Sequence, residues 1–287
     1  MDDILSQAKM LEWAGVTFGQ NEWYKLRLAM KKLLVENNCE YIRFFGKIYG
    51  TNSDYYILQG IVKDYPMLNP PKHVETRGNE GINRYTFWVS DSVLEYWNEL
   101  PDITHEQLVA SRLFKYILTG DLNAKVKSFM PFPGKEMHLL KCQIIRILHS
   151  SCIVPKGYQK LSENFKDQLE GKITEFDEEY KPLTFEEMKD PEFANWSHEY
   201  AYIYPNGKII DPSIENQIER MKGIGEDEGY KVKEGEGEEV QEVDVKFWKL
   251  KICGDQMTYN IPEKEPITHA VIHIENERWP GTQIGRA

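Results

Sequence analysis

Two pairs of histidine and cysteine lie at spacings that a metal ion could use. His138 precedes Cys142, and His149 precedes Cys152, by three or four residues. Imidazole and thiolate are good zinc ligands, but known structural sites combine four such groups in compact pairs. Isolated His and Cys residues are commoner as packed or surface side chains, so we expect no metal site and no cofactor.

A glycine-rich run at residues 223–229 superficially resembles a phosphate-binding loop. It has one residue too many before its last glycine, and no predicted strand precedes it. Its three carboxylates, at Glu226, Asp227 and Glu228, would also repel a pyrophosphate. A linker is the better interpretation of this run.

Residues for nucleophilic catalysis do not form a recognisable pattern either. The sequence has no Gly-x-Ser-x-Gly elbow, and no cysteine has the context of a protease or transferase nucleophile. Aspartate and glutamate are too abundant for any pair to stand out as an acid and a base. The expectation is a protein that is not an enzyme.

Six aromatic residues on predicted strands could stack on single-stranded nucleic acid, as they do in some binding folds. The formal net charge of the chain is −11, and no stretch rich in Lys and Arg accompanies these residues. Core and interface packing is therefore the favoured interpretation. The six are Phe44, Phe45, Tyr55, Tyr56, Phe87 and Trp88.

The length and composition predict a globular protein that faces the cytosol. The chain has 287 residues, of which 41% are hydrophobic, which is enough for a sizeable core. No apolar run approaches the length that spans a bilayer, and the first residues do not resemble a signal peptide. We therefore expect four reduced thiols, at Cys39, Cys142, Cys152 and Cys253.

The stretch around residues 97–158 carries the strongest local signals. Thr104 precedes Gln107 by three residues, which is the spacing of a capping box, and predicts a helix over residues 105–118 that ends before Gly120. A proline-rich turn at 129–134 follows. Apolar periodicity then favours a second helix over 136–149, although a short apolar run also permits a strand.

Similar patterns extend over the rest of the chain. They predict helices near residues 4–11 and 22–36, an antiparallel hairpin of strands 41–49 and 55–62, and further strands at 83–90, 245–252 and 269–274. Asn206-Gly207 predicts another hairpin, and the acidic run at 218–244 has the composition of a flexible linker. We expect an α+β fold with a mostly antiparallel sheet: one domain at 1–217, the linker at 218–244, and strands at 245–287 that return to the same domain.

Short motifs in a fixed order occupy the central stretch of the sequence. They are Trp97, Leu-Pro-Asp-Ile-Thr at 100–104, Thr-Gly-Asp-Leu at 119–122, Pro-Phe-Pro-Gly at 131–134, Gln143, Ile144, Arg146, Ile147 and Pro-Lys-Gly-Tyr at 155–158. This block resembles the signature block of the radial spoke head protein 4 and 6 family. Because the match has independent parts in fixed order, it is more specific than a single short motif.

The resemblance extends to both sides of the central stretch. Residues 18–33 resemble the family's first helix, 43–56 its hairpin and 278–281 a motif near its carboxyl end. Phe45 stands where the family usually has Trp, and the long acidic insertion that members often carry after the hairpin is nearly absent. A weaker block resembles the family at Trp196, His198, Gly207 and Lys208.

The resemblance implies a non-catalytic structural subunit of the radial spoke head in motile cilia and flagella, located in the axoneme. It implies assembly with a second 4/6-type subunit, as a homodimer or heterodimer, with radial spoke head proteins 9 and 1, and with the spoke stalk. It also implies contact with central-pair projections and transmission of their signals to the dynein arms. Neither nucleic acid nor membrane is an expected partner.

The same resemblance suggests which residues have structural or interaction roles. Two other classes of protein stay open: a cytosolic interaction adaptor outside the axoneme, and an unassigned enzyme. The candidate residues are Trp97, Thr104, Gly120, Phe132, Gly134, Arg146, Trp196 and Trp279.

Overall fold

The computed structural model describes residues 4–13, 15, 17–63, 82–161, 174–176, 179–198, 248–259, 267–277, 279 and 282–286. The helices of these residues are α1 (Ile4–Trp13), α2 (Gln20–Glu36), α3 (His105–Ser111), α4 (Glu136–Ser151) and α5 (Phe185–Met188). The strands are β1 (Cys39–Ile48), β2 (Tyr55–Val62), β3 (Thr86–Ser90), β4 (Asn98–Glu99), β5 (Ile153–Pro155), β6 (Gln159–Leu161), β7 (Thr174–Phe176), β8 (Trp196–His198), β9 (Trp248–Tyr259), β10 (Ile267–Asn276) and β11 (Thr282–Arg286). The α+β prediction is confirmed.

A four-stranded antiparallel sheet in the order β1-β2-β3-β4 lies at the centre of the fold. The hairpin predicted from the sequence is its first pair, with Ile48 opposite Tyr55 and Phe44 opposite Leu58. A register shift between Phe44 and Gly46 marks a bulge in β1. Since consecutive strands pair with each other, this sheet forms from local contacts.

Alternate residues of β2 and β3 point to opposite faces of the central sheet. Each face packs against its own buried cluster. Leu58 and Trp88 pack with Met30 of α2 on one face. Ile57 and Phe87 pack on the other face, against a separate and larger core. Phe44 and Phe45 are partly buried and the other four aromatic residues singled out in the sequence are buried, which confirms the packing interpretation.

Helices α1 and α2 cover the first face of the sheet. The backbone N–H of Gly19 donates to the Glu22 carboxylate at 2.9 Å, which satisfies a donor at the start of α2. Ala8 of α1 and Trp23 of α2 belong to the same buried cluster. Both helices occur where apolar periodicity predicted them, since each has one continuous apolar face.

Helix α3 is shorter than the sequence indicated. The periodicity predicted a helix over residues 105–118, but α3 ends at Ser111. Beyond it exposed and partly buried side chains alternate, as in an extended chain. The N–H of Thr51, in the turn after β1, donates to the carbonyl of Leu118 at 2.9 Å. The prediction was wrong because this contact with a distant turn holds the segment in an extended path.

The later part of the chain forms smaller sheets. β9, β10 and β11 make a three-stranded antiparallel sheet in the order β11-β10-β9, and β5 pairs with β8. Ile153 of β5 and Trp248 of β9 lie in one buried cluster. The predicted linker at 218–244 and the predicted hairpin at Asn206-Gly207 lie outside the described residues.

Candidate functional site: a buried polar junction

The central stretch of motifs covers the second face of the sheet. α3 and α4 pack against each other, and Leu108, Leu140 and Ile144 are fully buried. They belong to the same cluster as Phe87 of β3. Ile103, Phe132 and Ile144 of the signature block lie in this cluster, so the block contributes to the largest core of the described residues.

Glu136, the first residue of α4, is a buried carboxylate at the centre of this region. It has no exposed surface and accepts four hydrogen bonds. The Tyr55 hydroxyl donates to its Oε1 at 2.7 Å, and the Gly120 N–H donates to the same oxygen at 3.0 Å. Thr119 donates twice, from its N–H to Oε1 and from its hydroxyl to Oε2, each at 2.8 Å.

These four bonds explain how the carboxylate can be buried although no cation among the described residues pairs with it. A buried charge is tolerated when strong donors replace the water it has lost. Burial raises the pKa of the Tyr55 phenol, and its hydrogen bond to Glu136 raises that pKa further. Both carboxylate oxygens accept hydrogen bonds, Oε1 three of them and Oε2 one, which suits a structural junction better than a catalytic base.

Gly120 is held where a side chain could not fit. Its φ is +95°, and an added Cβ would lie 2.4 Å from the carbonyl oxygen of Ser53. The neighbouring Asn52 N–H donates to the carbonyl of Thr119 at 2.9 Å. The sequence suggested that Gly120 ends a helix, and this prediction was wrong because α3 ends at Ser111. Gly120 instead allows the backbone to approach the turn between β1 and β2.

Thr104 forms the capping box that the sequence predicted. The Gln107 N–H donates to the Thr104 hydroxyl oxygen at 3.3 Å, and the Thr104 N–H donates to Gln107 Oε1 at 3.1 Å. Gln107 also donates from Nε2 to the carbonyl of Pro133 at 2.8 Å. A Cβ added to Gly134 would lie 3.2 Å from this amide nitrogen. The cap of α3 is thus joined to the turn before α4.

Phe132 anchors that turn in the core. It is buried, and its ring centroid lies 6.2 Å from that of Phe114 in an edge-to-face arrangement. Phe129, in the same turn, is fully exposed at 101%. The two rings of one turn therefore have opposite environments.

Arg146 and Trp279 connect α4 to the end of the described chain. The Arg146 guanidinium lies 5.0 Å from the centroid of the Trp279 ring, and also donates to the carbonyl of Ser111 at 2.8 Å. The Trp279 Nε1–H donates to the Ser150 hydroxyl oxygen at 2.6 Å. Residues from two separate motifs of the sequence thus meet on one side of α4.

The remaining two candidate residues lie away from the junction. Trp97 is partly buried among the apolar residues of the α1 and α2 side, and its Nε1 has no hydrogen-bond partner among the described residues. Trp196 is buried, and its Nε1–H donates to the carbonyl of Met188 at 3.1 Å. The candidates therefore occupy three regions and do not form one site.

Three residues of the junction region were not singled out from the sequence. Lys141 is fully buried, with its Nζ 3.1 Å from a carboxylate oxygen of Asp102. The buried side chain of Asn83 both donates to and accepts from the backbone of Ile103, at 2.9 and 3.0 Å. Glu136 had one local signal, an acid in the first turn of a helix, but its burial depends on residues far along the chain.

The cysteine and histidine of one candidate metal-binding pair, Cys142 and His138, are held by burial and by a backbone hydrogen bond. Burial raises the pKa of the Cys142 thiol to about 12, so it is not a thiolate at neutral pH. The His138 Nδ1 accepts from the Lys135 N–H at 3.2 Å. Within the described part of the chain, no group of three or more His, Cys, Asp and Glu residues is placed to hold a metal ion, and no helix is long and apolar enough to cross a membrane.

Comparison with known proteins gives consistent matches. The family described as radial spokehead-like protein matches residues 1–66 and 61–283. The radial spoke head protein 6 homolog A of Mus musculus is 27% identical over an alignment of 335 residues, which covers 97% of this chain and 46% of that protein. The Xenopus tropicalis homolog of the same name is 26% identical over 250 residues, covering 73% of this chain and 47% of that protein.

A relative from a green alga also matches. The flagellar radial spoke protein 4 of Chlamydomonas reinhardtii is 27% identical over 228 residues, covering 72% of this chain and 47% of that protein. The chain thus spans less than half the length of each of these relatives.

Proposed function

The chain belongs to the radial spokehead-like protein family, and on that premise we propose that it is a non-catalytic structural subunit of the radial spoke head in motile cilia and flagella. The observation that carries the proposal is the family match, whose two segments together extend from residue 1 to residue 283. The names of the relatives place them in radial spokes and, for the algal protein, in the flagellum. The proposed location is therefore the axoneme.

The geometry of the junction supports a structural role. A scaffold subunit must keep its shape under load, and the polar groups of the central motifs are used internally for that purpose. Both carboxylate oxygens of Glu136 accept hydrogen bonds, and the donors are Tyr55, Thr119 and Gly120. These residues hold α4, β2 and the extended segment after α3 in one arrangement.

We further propose that the chain assembles with a second 4/6-type subunit, with radial spoke head proteins 9 and 1, and with the spoke stalk. In this assembly it would contact the central-pair projections and transmit their signals to the dynein arms. This part of the proposal rests on family membership alone. A cross-linking map of isolated axonemes tests it, because each proposed neighbour gives its own set of linked peptides.

We propose one structural unit made of residues 1–217 and 245–287, joined by the acidic linker at 218–244. The support comes from contacts between its two parts. Ile272 and Ile274 of β10 are buried in one cluster with Ile153 of β5, and Trp279 bonds to Ser150 of α4. Strands late in the sequence thus pack on elements from the middle.

The alternative function is an interaction adaptor in the cytosol outside the axoneme, and an unassigned enzyme is a more distant one. An adaptor would use the same buried junction and the same exposed surfaces. An enzyme would need a pocket with converging titratable groups, whereas the titratable groups of the junction are bonded to one another. Location in the cell therefore distinguishes the leading proposal from its main alternative.

The deciding experiment is the extraction of axonemes from ciliated cells that express the tagged chain. After detergent removes the membrane and the soluble matrix, we expect the tagged chain to stay with the axoneme and to be depleted from axonemes that lack spoke heads. A cytosolic marker with the same tag is the control. Recovery of the tagged chain wholly in the soluble fraction would overturn the scaffold proposal and favour the adaptor.

A further inference from the structure

One surface of this acidic protein is basic. The formal net charge of the chain is −11, but between Arg112 and Lys135 five side chains are basic and only Asp121 is acidic. This segment lies between α3 and α4 and contains the extended path that replaced the predicted end of α3. The surface that it forms therefore differs in sign from the chain as a whole.

Apolar side chains are exposed among these basic residues. In the first extended part, Leu113 and Ile117 are 58% and 76% exposed, with Lys115 exposed between them. Exposed and partly buried residues alternate here, so these three side chains point the same way. They make a short outward row of the form apolar, basic, apolar.

A second outward row follows in the same segment. Residues 121–128 again alternate between exposed and partly buried, with Lys125 and Lys127 on the exposed side. Phe129 follows at 101% exposure. We call the two rows together the basic-apolar face, which consists of Leu113, Lys115, Ile117, Lys125, Lys127 and Phe129.

The inward side chains hold both rows on the same core. Phe114 and Leu122 pack against the main core, and Phe114 contacts Phe132 at a ring-centroid distance of 6.2 Å. The Glu136 N–H donates to the carbonyl of Ala124 at 2.9 Å, which fixes the second row to the start of α4. The basic-apolar face is therefore presented by an anchored backbone.

Carboxylates of the described residues do not neutralise the charges of the basic-apolar face. Among the described residues, no carboxylate forms an ion pair with Lys115, Lys125 or Lys127. Exposed apolar side chains interleaved with unpaired cations favour a ligand that brings both carboxylates and apolar side chains.

We propose that the basic-apolar face is a docking surface for an acidic segment of a partner protein, in which carboxylates alternate with apolar side chains. The carboxylates pair with Lys115, Lys125 and Lys127, while apolar side chains cover Ile117 and Phe129. Charge complementarity selects this partner, because Lys115, Lys125 and Lys127 are exposed cations and the exposed apolar side chains lie among them. The inference concerns the surface alone and holds whether or not the chain acts in the axoneme.

The test measures binding of a synthetic peptide to the purified full chain by isothermal titration calorimetry. In this peptide, pairs of Glu alternate with single Leu residues. We expect saturable binding with a stoichiometry of one, weakened by added salt because exposed charge pairs are screened. A peptide with Gln for every Glu and another with Ser for every Leu should each bind more weakly.

Two variants of the chain locate the peptide. Changing Lys115, Lys125 and Lys127 together to Gln should raise Kd about tenfold, as expected for the loss of three exposed charge pairs. The matched control changes Lys9, Lys156 and Lys181 to Gln, which removes the same charge from other exposed positions, and should change Kd less than about twofold.

The apolar contribution is tested separately. Ile117→Ser with Phe129→Ser should weaken peptide binding by at least the same factor, whereas Val35→Ser with Tyr96→Ser, both 80% exposed elsewhere, should not. Unchanged melting temperatures show that all these surface variants fold. Failure of the peptide to bind, equal losses in test and control variants, or tighter binding of a uridine oligonucleotide than of the peptide would overturn the proposal.

Discussion

Glu136 is the residue on which the arrangement of the central motifs depends most directly. Its carboxylate is fully buried and accepts hydrogen bonds from Tyr55 of β2 and from Thr119 in the extended segment after α3. Glu136→Gln keeps the shape of the side chain but removes its charge. One carboxylate oxygen becomes an NH₂ group, which cannot accept the hydrogen bonds that Tyr55, Thr119 and Gly120 donate. We expect a loss of about 3 kcal/mol or more in the free energy of unfolding, measured by chemical denaturation.

The control for this substitution is Glu106→Gln. Glu106 also lies in the first turn of a helix, but it is exposed. Loss of its charge should cost less than about 1 kcal/mol. Equal costs for the two variants would mean that the hydrogen bonds of Glu136 contribute nothing beyond a helix-terminal charge.

Two buried phenols and one partly buried phenol predict how the free energy of unfolding depends on alkaline pH. The pKa values of Tyr41, Tyr55 and Tyr56 are all raised, in each case first of all by burial. Their neutral forms are favoured in the fold, so their contribution is complete below about pH 10, the pKa of tyrosine in an unfolded chain. Above that pH the unfolded chain loses protons that the folded chain keeps, and the free energy of unfolding falls.

Tyr55→Phe should make this alkaline loss shallower, because one of the three phenols is removed. Denaturation midpoints measured across the alkaline range at constant ionic strength would show the change. Tyr96→Phe is the control, since Tyr96 is 80% exposed. The interpretation is wrong if both variants keep the slope of the unmodified chain.

At the scale of elements, the turn after β1 and the extended segment after α3 are joined at Gly120. Gly120→Ala adds a methyl group that would overlap the backbone of Ser53 and also forces a side chain into a left-handed conformation. We expect a cost of about 3 kcal/mol or more in thermal or chemical unfolding.

Gly157 offers a matched control for this prediction. Its φ is +83°, similar to that of Gly120, but the nearest atom to an added Cβ is 4.0 Å away. Gly157→Ala should therefore cost only the conformational part, about 1 to 2 kcal/mol. If Gly157→Ala costs as much as Gly120→Ala, the loss at Gly120 comes from its left-handed backbone conformation and not from its close approach to Ser53.

The proline-rich turn is tested by its two phenylalanines. Phe132→Ala removes a buried ring that packs on Phe114 and should cost about 3 to 5 kcal/mol. Phe129→Ala removes an exposed ring and should change stability by less than about 0.5 kcal/mol. Thr104→Ala, which removes the cap of α3, should fall between them at about 1 kcal/mol. Equal shifts for all three in a melting experiment would show that the turn is not part of the core.

At the scale of the whole molecule, Trp279 ties the end of the described chain to α4. Its ring lies under the Arg146 guanidinium and its N–H bonds to Ser150. A double-mutant cycle of Arg146→Ala and Trp279→Ala should give a coupling energy of about 0.5 to 2 kcal/mol.

A cycle of Trp279→Ala with Lys32→Ala serves as the reference. Lys32 is exposed on α2 and forms an ion pair with Glu36 in the same helix, so its coupling to Trp279 should be close to zero. If the Arg146 cycle gives no more coupling than the Lys32 cycle, the proposed single unit of residues 1–217 and 245–287 loses its best-defined contact.

The sequence by itself determined the features that depend on neighbours in the chain. The capping box of Thr104, the helix from Glu136 and the hairpin of β1 and β2 were all predicted, and family membership was predicted from motifs. The physical reason is that caps, apolar periodicity and hairpin register are set within a few residues. The predicted end of the first central helix, at residue 118, was wrong.

Only the tertiary structure decided what those elements do together. The donors to Glu136 come from Tyr55, 81 residues earlier in the chain, as well as from residues 119–120. The sequence pattern of α3 continued beyond Ser111, but backbone pairing with the turn after β1 took precedence over helical periodicity. The basic-apolar face exists because that extended path turns alternate residues outward. Burial and hydrogen bonding between distant segments are properties of the folded chain, and local spacing does not determine them.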